Sequence, residues 1–286
     1  SFGDMLWLPW VWELRPEIFD WVFVDECQDL NRAQLEMVLK LRARPHVDRV
    51  ITGNWKAQVG RMIFVGDPRQ AIYGFSGADA RSYANIQERT GASEFPLSTS
   101  YRCPVLVVRE AQAIVPSIQA RPDAELGTVR WISEIELHAN VSEGDLLLCR
   151  MTAPLIATCL DLIRARVPAR VRGKDIGKML VKTVKIVSER DEFKFAEFGK
   201  HLLAHTEAQL EKLRGRDDTE AQTERLYDIE AALLACFEGC TEARDVGELC
   251  EDIQALFSDD RPGVWLSTVH KAKGLEARRV RILRPD

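Results

Sequence analysis

The sequence predicts an α/β protein built on parallel sheet, and three observations carry that prediction. Two short, continuous apolar runs, Trp21-Val22-Phe23-Val24 and Met62-Ile63-Phe64-Val65, have the length and the aromatic, β-branched make-up of strands buried on both faces. Between them Leu35, Val38 and Leu39 recur at helical spacing behind Asn31, a good N-cap. Each run also ends in acid: Asp25-Glu26 after the first, Gly66-Asp67 after the second. In open α/β sheets ligands bind at the carboxyl ends of the strands.

The pattern repeats further along. Leu146-Leu147-Leu148-Cys149 reads as a buried strand, followed by a helix that Thr152 caps and whose face is Leu155, Ile156, Cys159, Leu160 and Ile163. Val167 to Val171 reads as another strand, broken by Pro168. From about 189 to 260 the strand signal disappears. Phe195, Phe198, Leu202, Leu210 and Leu213 follow a helical period, as do Leu226, Ile229, Leu233 and Phe237, and then Val246, Leu249, Cys250, Ile253 and Phe257. Three helices are expected there, with Arg214 to Asp218 as a polar turn. After Pro262-Gly263, Val264-Trp265-Leu266 and Val280-Arg281-Ile282-Leu283 return to strand chemistry. The predicted division is therefore 1–96, then 97–188, a helical insertion at 189–261, and a return to the second α/β part at 262–286.

Composition narrows the function classes. Of 286 residues, 46% are hydrophobic and 29% charged, a globular balance that excludes disordered and fibrous chains. No apolar run reaches the roughly 18–20 residues needed to cross a bilayer, so no membrane partner is expected. The net charge is −5, so a nucleic-acid partner would have to be held by a local groove, not a global basic field. The seven cysteines are odd in number and form no C-x-x-C pair, which fits reduced, mostly buried thiols and no zinc site. Ser1-Phe2-Gly3-Asp4 lacks both the basic start of a signal peptide and an initiator Met. The expectation is a cytoplasmic chain, in a bacterial or phage-infected cell, that begins inside a longer protein. Trp7, Trp10 and Trp12 fit no pattern, and are either core or surface left bare.

The chemistry concentrates in two blocks. VFVDECQD, residues 22–29, delivers Asp25 and Glu26 to a strand's carboxyl end, where one carboxylate can hold Mg²⁺ and the other can orient or deprotonate a water. On its own such a pair is more often two solvated acids. FVGDPRQAIYGFSGAD, residues 64–79, adds Gln70, able to hydrogen-bond a water and a phosphate together. It also adds Tyr73 and Phe75 among glycines that permit close approach to an unpaired base.

In this order the blocks resemble the UvrD/PcrA/Rep-like superfamily 1 DNA helicases. VDECQD is similar to the family's Walker B motif and VGDPRQAIYGFSGAD to motif III; LSTSYRCP (97–104) resembles motif IV and LSTVHKAKGLEA (266–277) motif V. The resemblance implies two RecA-like, P-loop NTPase type domains, the first incomplete. It implies ATP and Mg²⁺ as cofactors, and single-stranded DNA or a single/double-strand junction as partner. A protein partner could engage the helical insertion. Asp25 would hold Mg²⁺, and Glu26 would be the catalytic base. Gln70 and Arg102 would contact the γ-phosphate, Tyr101 would stack on adenine, and Gly274 and Glu276 would approach the nucleotide. Tyr73, Phe75, Thr268, His270 and Lys273 would line the DNA track.

The sequence also departs from that pattern. No G-x-x-x-x-G-K-[ST] loop occurs; the nearest string, Gly173-Lys174-Asp175-Ile176-Gly177-Lys178-Met179, has its glycines four apart and Met179 in place of the hydroxyl. The sequence stops soon after Glu276, before the arginine-bearing motif VI would be expected. Ser76 stands where an arginine is common, and Cys27 between the acids and Gln28 is expected to pack. The expectation is a partial motor, inactive alone. Two other classes compete: a non-enzymatic DNA-binding or interaction module on a helicase scaffold, and a metal-dependent nuclease using Asp25, Glu26 and Asp67. The nuclease leaves Gln70, Tyr101-Arg102 and the His270 to Glu276 block without a role.

Overall fold

The structure is a computed structural model that describes residues 2–14, 17–42, 60–71, 81–214, 219–257 and 262–283. The chain forms two compact units, Ser1–Val129 and Arg130–Asp286.

The first unit runs α1 (Phe2–Val11), β1 (Trp21–Val24), α2 (Arg32–Lys40), β2 (Arg61–Phe64), α3 (Ser82–Thr90), β3 (Thr99–Ser100), α4 (Val105–Gln112) and β4 (Gln119–Ala120). β1 and β2 pair in parallel, Trp21 opposite Arg61 through Val24 opposite Phe64, and β3 pairs in parallel with β4. α2 starts where expected because Asn31 and Gln34 cap each other. The Gln34 N–H donates to Asn31 Oδ1 at 2.9 Å and the Asn31 N–H to Gln34 Oε1 at 2.8 Å. Among the described residues, Val22, Val24, Cys27, Leu35 and Ile86 form a small buried cluster in this unit.

Burial on both faces does not hold for this pair of strands. Trp21 is 48% exposed, Phe23 69% and Ile63 39%. Alternation in a strand sends every second side chain to the opposite face, and here only the Val22/Val24 face is packed. Trp7 and Trp12 are likewise exposed, which selects the second of the two readings for them; the Trp10 side chain lies outside the described residues.

The second unit runs α5 (Glu134–Asn140), β5 (Leu146–Cys149), α6 (Thr152–Arg164), β6 (Ala169–Val171), α7 (Lys174–Ser188), α8 (Phe198–Glu211), α9 (Glu220–Gly239), α10 (Val246–Leu256), β7 (Val264–Thr268), α11 (Val269–Ala272) and β8 (Val280–Ile282). Its four strands are all parallel, in the order β6-β7-β5-β8. Helices α7 to α10 lie between β6 and β7 in the chain although the two strands are neighbours in the sheet. Leu147, Leu155, Leu180, Phe198, Leu233 and Ile253 are fully buried in one continuous core drawn from β5 and α6 to α10. Asp145, 2% exposed, is paired with Arg279 and Arg281 and so ties β8 to the turn before β5.

Two local expectations are corrected. Thr152 does not cap α6. Met151 holds the N-cap position without a side-chain bond, and Asp228 of α9 supplies the acceptor, its Oδ1 taking the N–H of Thr152 at 2.8 Å and of Ala153 at 3.2 Å. A cap brought from 76 residues away leaves no local sequence signal. On the same helix Leu155, Ile156, Cys159 and Leu160 are buried as predicted, but at its end Leu162 is buried and Ile163 exposed. The polar turn foreseen at 214–218 lies, past Arg214, outside the described residues.

Candidate functional site

The site of the first unit grows from two strand ends. β1 ends at Val24, and Asp25 and Glu26 follow as exposed residues while Cys27 and Gln28 turn inward. Glu26 takes up the left-handed conformation, φ 50° and ψ 40°, before the short 3₁₀ turn Cys27–Asp29. A non-glycine residue there is uncommon and carries a cost that surrounding contacts must offset. The Asp25 Oδ1 accepts the Glu26 N–H at 2.9 Å, which fixes the left-handed kink.

Gln28 is the hinge pin of the arrangement. It is 1% exposed, its Nε2 donates to Glu26 Oε2, and its Oε1 accepts the Asp67 N–H at 3.1 Å. Asp67 in turn accepts from both sides of the next turn, Oδ1 from the Arg69 N–H at 3.0 Å and Oδ2 from Gln70 Nε2 at 2.9 Å. A hydrogen-bonded relay therefore runs Glu26–Gln28–Asp67–Gln70, joining the ends of β1 and β2. Gly66 makes the close approach possible. A Cβ there would meet Gln28 Oε1 at 2.4 Å and Cys27 Sγ at 2.7 Å, both inside contact distance. Cys27 packs at zero exposure, and burial first, then the charges of Asp25, Glu26 and Asp29, push its thiol pKa up. It stays a protonated, packed thiol.

Among the predicted residues, the structure thus brings Glu26 and Gln70 into one network, with Asp25 bonded to Glu26. Gln28 and Asp67 as its connectors were missed. Their signal was the Gln28 amide just behind the acids and the Gly-Asp step ending the second strand. Tyr101 and Arg102 follow β3 in the same unit, both exposed, inside a turn closed by the Cys103 N–H on Ser100 Oγ. Tyr73 and Phe75 lie outside the described residues.

In the second unit the motif V residues cluster where β7 ends. Thr268 is 8% exposed and its hydroxyl oxygen caps α11 by accepting the Lys271 N–H at 3.3 Å. His270 and Glu276 are exposed and Lys273 is half-buried. Gly274 has φ +81° with open space where a Cβ would stand, so its backbone is accessible and its conformation favours glycine. Lys271 pairs with Asp175 at the start of α7 and holds that carboxyl below its usual range. All seven cysteines are free thiols. Burial pushes Cys159 up to about 12 and Cys240 up to about 11. No helix among the described residues is long and apolar enough to cross a membrane.

Residues 9–91 match the family model of the UvrD/REP helicase N-terminal domain. The chain is 29% identical over 134 residues to DNA helicase II of Salmonella typhimurium, covering 46% of this chain and 16% of that protein. It is 29% identical over 122 residues to the ATP-dependent DNA helicase PcrA of Bacillus subtilis, covering 42% and 15%. To DNA helicase II of Escherichia coli it is 28% identical over 144 residues, covering 49% and 18%. The match spans less than a fifth of each of these relatives. The relay thus lies inside a segment that matches the UvrD/REP helicase N-terminal domain, and over less than half of its length the chain is similar to these helicases.

Proposed function

We propose that this chain is part of an ATP-dependent DNA helicase or translocase of the UvrD-like type, which couples ATP hydrolysis to 3′ to 5′ movement on single-stranded DNA. In this reading 1–96 belong to a first RecA-like domain, 97–188 and 262–286 to a second, and 189–261 to a helical insertion that offers a protein-binding surface. The observation that carries the reading is the Glu26–Gln28–Asp67–Gln70 relay, because it fixes a candidate base and a candidate phosphate sensor in one hydrogen-bonded unit.

Asp25 fits a magnesium site of the kind this chemistry uses. Its carboxylate is exposed at the carboxyl end of a parallel strand, and no cluster of three or more protein ligands exists among the described residues. Mg²⁺ is held by one or two carboxylates together with water and substrate phosphates, not by an all-protein cage. Bound there, it would neutralise phosphate charge. The chain's own groups do the rest. Glu26, held by Gln28 and by its left-handed backbone, orients the attacking water and accepts its proton. Gln70, held by Asp67, faces the γ-phosphate through its amide. Arg102 stabilises charge that develops on the transferring group, and Tyr101 stacks on adenine. Gly274 and Glu276 approach the nucleotide from motif V, while Tyr73, Phe75, Thr268, His270 and Lys273 meet the DNA strand.

The 286 residues contain no G-x-x-x-x-G-K-[ST] string, so this chain alone is proposed to lack turnover. The test joins the chain to a phosphate-binding P-loop segment and an arginine-bearing motif VI segment and measures DNA-stimulated ATP hydrolysis. Glu26→Gln is expected to lower turnover by about 10²–10⁴-fold with ATP binding retained. Unchanged turnover in that variant contradicts the assignment of the base. Robust DNA-stimulated hydrolysis by the 286 residues alone contradicts the partial-motor reading.

A further inference from the structure

The two arginine pairs of the second unit's sheet have opposite fates. On one edge, Arg279 and Arg281 share the buried carboxylate of Asp145. On the other edge, Arg170 and Arg172 of β6 and the turn after it have no carboxylate partner among the described residues. Residues two apart on a strand share a face, so both guanidiniums lie over Trp265 of β7, which is the register partner of Arg170. The guanidinium carbon of Arg170 stands 3.5 Å from the Trp265 ring centroid and that of Arg172 4.5 Å. Arg170 is only 6% exposed, and its Nε and Nη1 are buried without a hydrogen-bond acceptor among the described residues.

Stacking on indole satisfies the face of a guanidinium but offers its N–H groups no acceptor. Two like charges gathered on one ring, one of them buried with unmatched donors, are stabilised by an anion that joins them. The location suits one. Arg172 marks the carboxyl end of β6, where parallel sheets bind ligands, and it leads directly into the first turn of the 15-residue helix α7. Planar, delocalised guanidinium groups are matched to phosphate oxygens.

We propose that Arg170, Arg172 and Trp265 form a phosphate-binding site, filled by a phosphodiester of the DNA strand. Phosphate oxygens take the N–H donors that the fold leaves unmatched, and Trp265 keeps the guanidinium planes in place. Arg172 is half-buried and so more accessible to the anion than Arg170. The phosphate chemistry rests on the cluster alone; the choice of a nucleic-acid source over a free phosphate rests on the helicase reading above.

The test uses the 286-residue chain with Arg170→Met and Arg172→Met, two probes and two readouts. Fluorescence anisotropy with labelled oligo-dT at several salt concentrations reads the phosphodiester, and the thermal midpoint with and without inorganic pyrophosphate reads a free phosphate. Each substitution is expected to weaken oligo-dT binding about tenfold and to flatten the slope of log K against log salt by about 0.7. Arg170→Met is also expected to leave the ligand-free midpoint equal or higher, while abolishing its rise with pyrophosphate. A purely structural arginine would do the reverse: a lower midpoint and an unchanged ligand response, which overturns the site. Wild-type-like binding of both probes by both variants overturns it too, as does a wild-type chain that responds to neither. A wild type indifferent to oligo-dT, yet stabilised by pyrophosphate through Arg170, keeps the phosphate site and removes the DNA reading.

Discussion

The first unit holds the relay, the second holds the core. In the first, five buried apolar residues among those described support a two-stranded sheet whose other face leaves Trp21 and Phe23 in solvent. In the second, twenty-six buried apolar residues among those described enclose one face of a four-stranded sheet under α6 to α10, and Leu146, Arg170 and Ser267 are buried on the other. Parallel strands are stable when both faces are covered and gain little from a single pairing. The contrast teaches that the relay owes its geometry to hydrogen bonds and one glycine, and the second unit owes its geometry to burial.

The largest expected effect separates the units. Residues 130–286 expressed alone are expected to unfold in one cooperative denaturant transition, and residues 1–129 alone to give a broad, shallow one. A sharp transition from 1–129 would break the comparison. Next, Leu155→Ala, at a fully buried position, is expected to destabilise the main transition by about 2–5 kcal/mol, measured by denaturant unfolding. Val24→Ala in the small core is expected to leave that transition in place. Asp228→Ala sharpens the account within the second unit. Removing the acceptor for two backbone N–H groups of α6 is expected to cost about 0.5–2 kcal/mol.

The smallest effect is that of the Asp175–Lys271 pair, both partners being substantially exposed. Lys271 lowers the Asp175 carboxyl, so the pair's contribution is present above the ordinary carboxylate range and is lost as pH falls through the lowered value. Asp175→Asn is expected to shift stability by at most about 0.5 kcal/mol near neutral pH, and by nothing measurable once the wild-type carboxyl is protonated. Equal differences at both pH values would contradict the pairing.

Elements with local signals were legible in the sequence. The Asn31 cap lies three residues from its Gln34 partner, and the strands at Trp21 and Leu146 are continuous apolar runs. What escaped was set by tertiary contact. Asp228 caps a helix 76 residues earlier in the chain, and Gln28 joins Glu26 to a backbone N–H 39 residues on. Helix α7 was less legible: Leu180, Val184 and Val187 have helical spacing, but Gly173 and Gly177 at its start are weak helix formers and break the local signal. The exposed Trp21/Phe23 face could not be read either, since a run apolar on both faces looks the same whether or not both are covered.

The relay is tested most directly by Gln28→Leu, in the chain joined to the same P-loop and motif VI segments, with steady-state ATP turnover at saturating single-stranded DNA. Loss of the amide frees Glu26 and Asp67 from one another without removing either. The account predicts that kcat falls by about 10–10²-fold while KM for ATP stays within about twofold. A variant with wild-type kcat would contradict it.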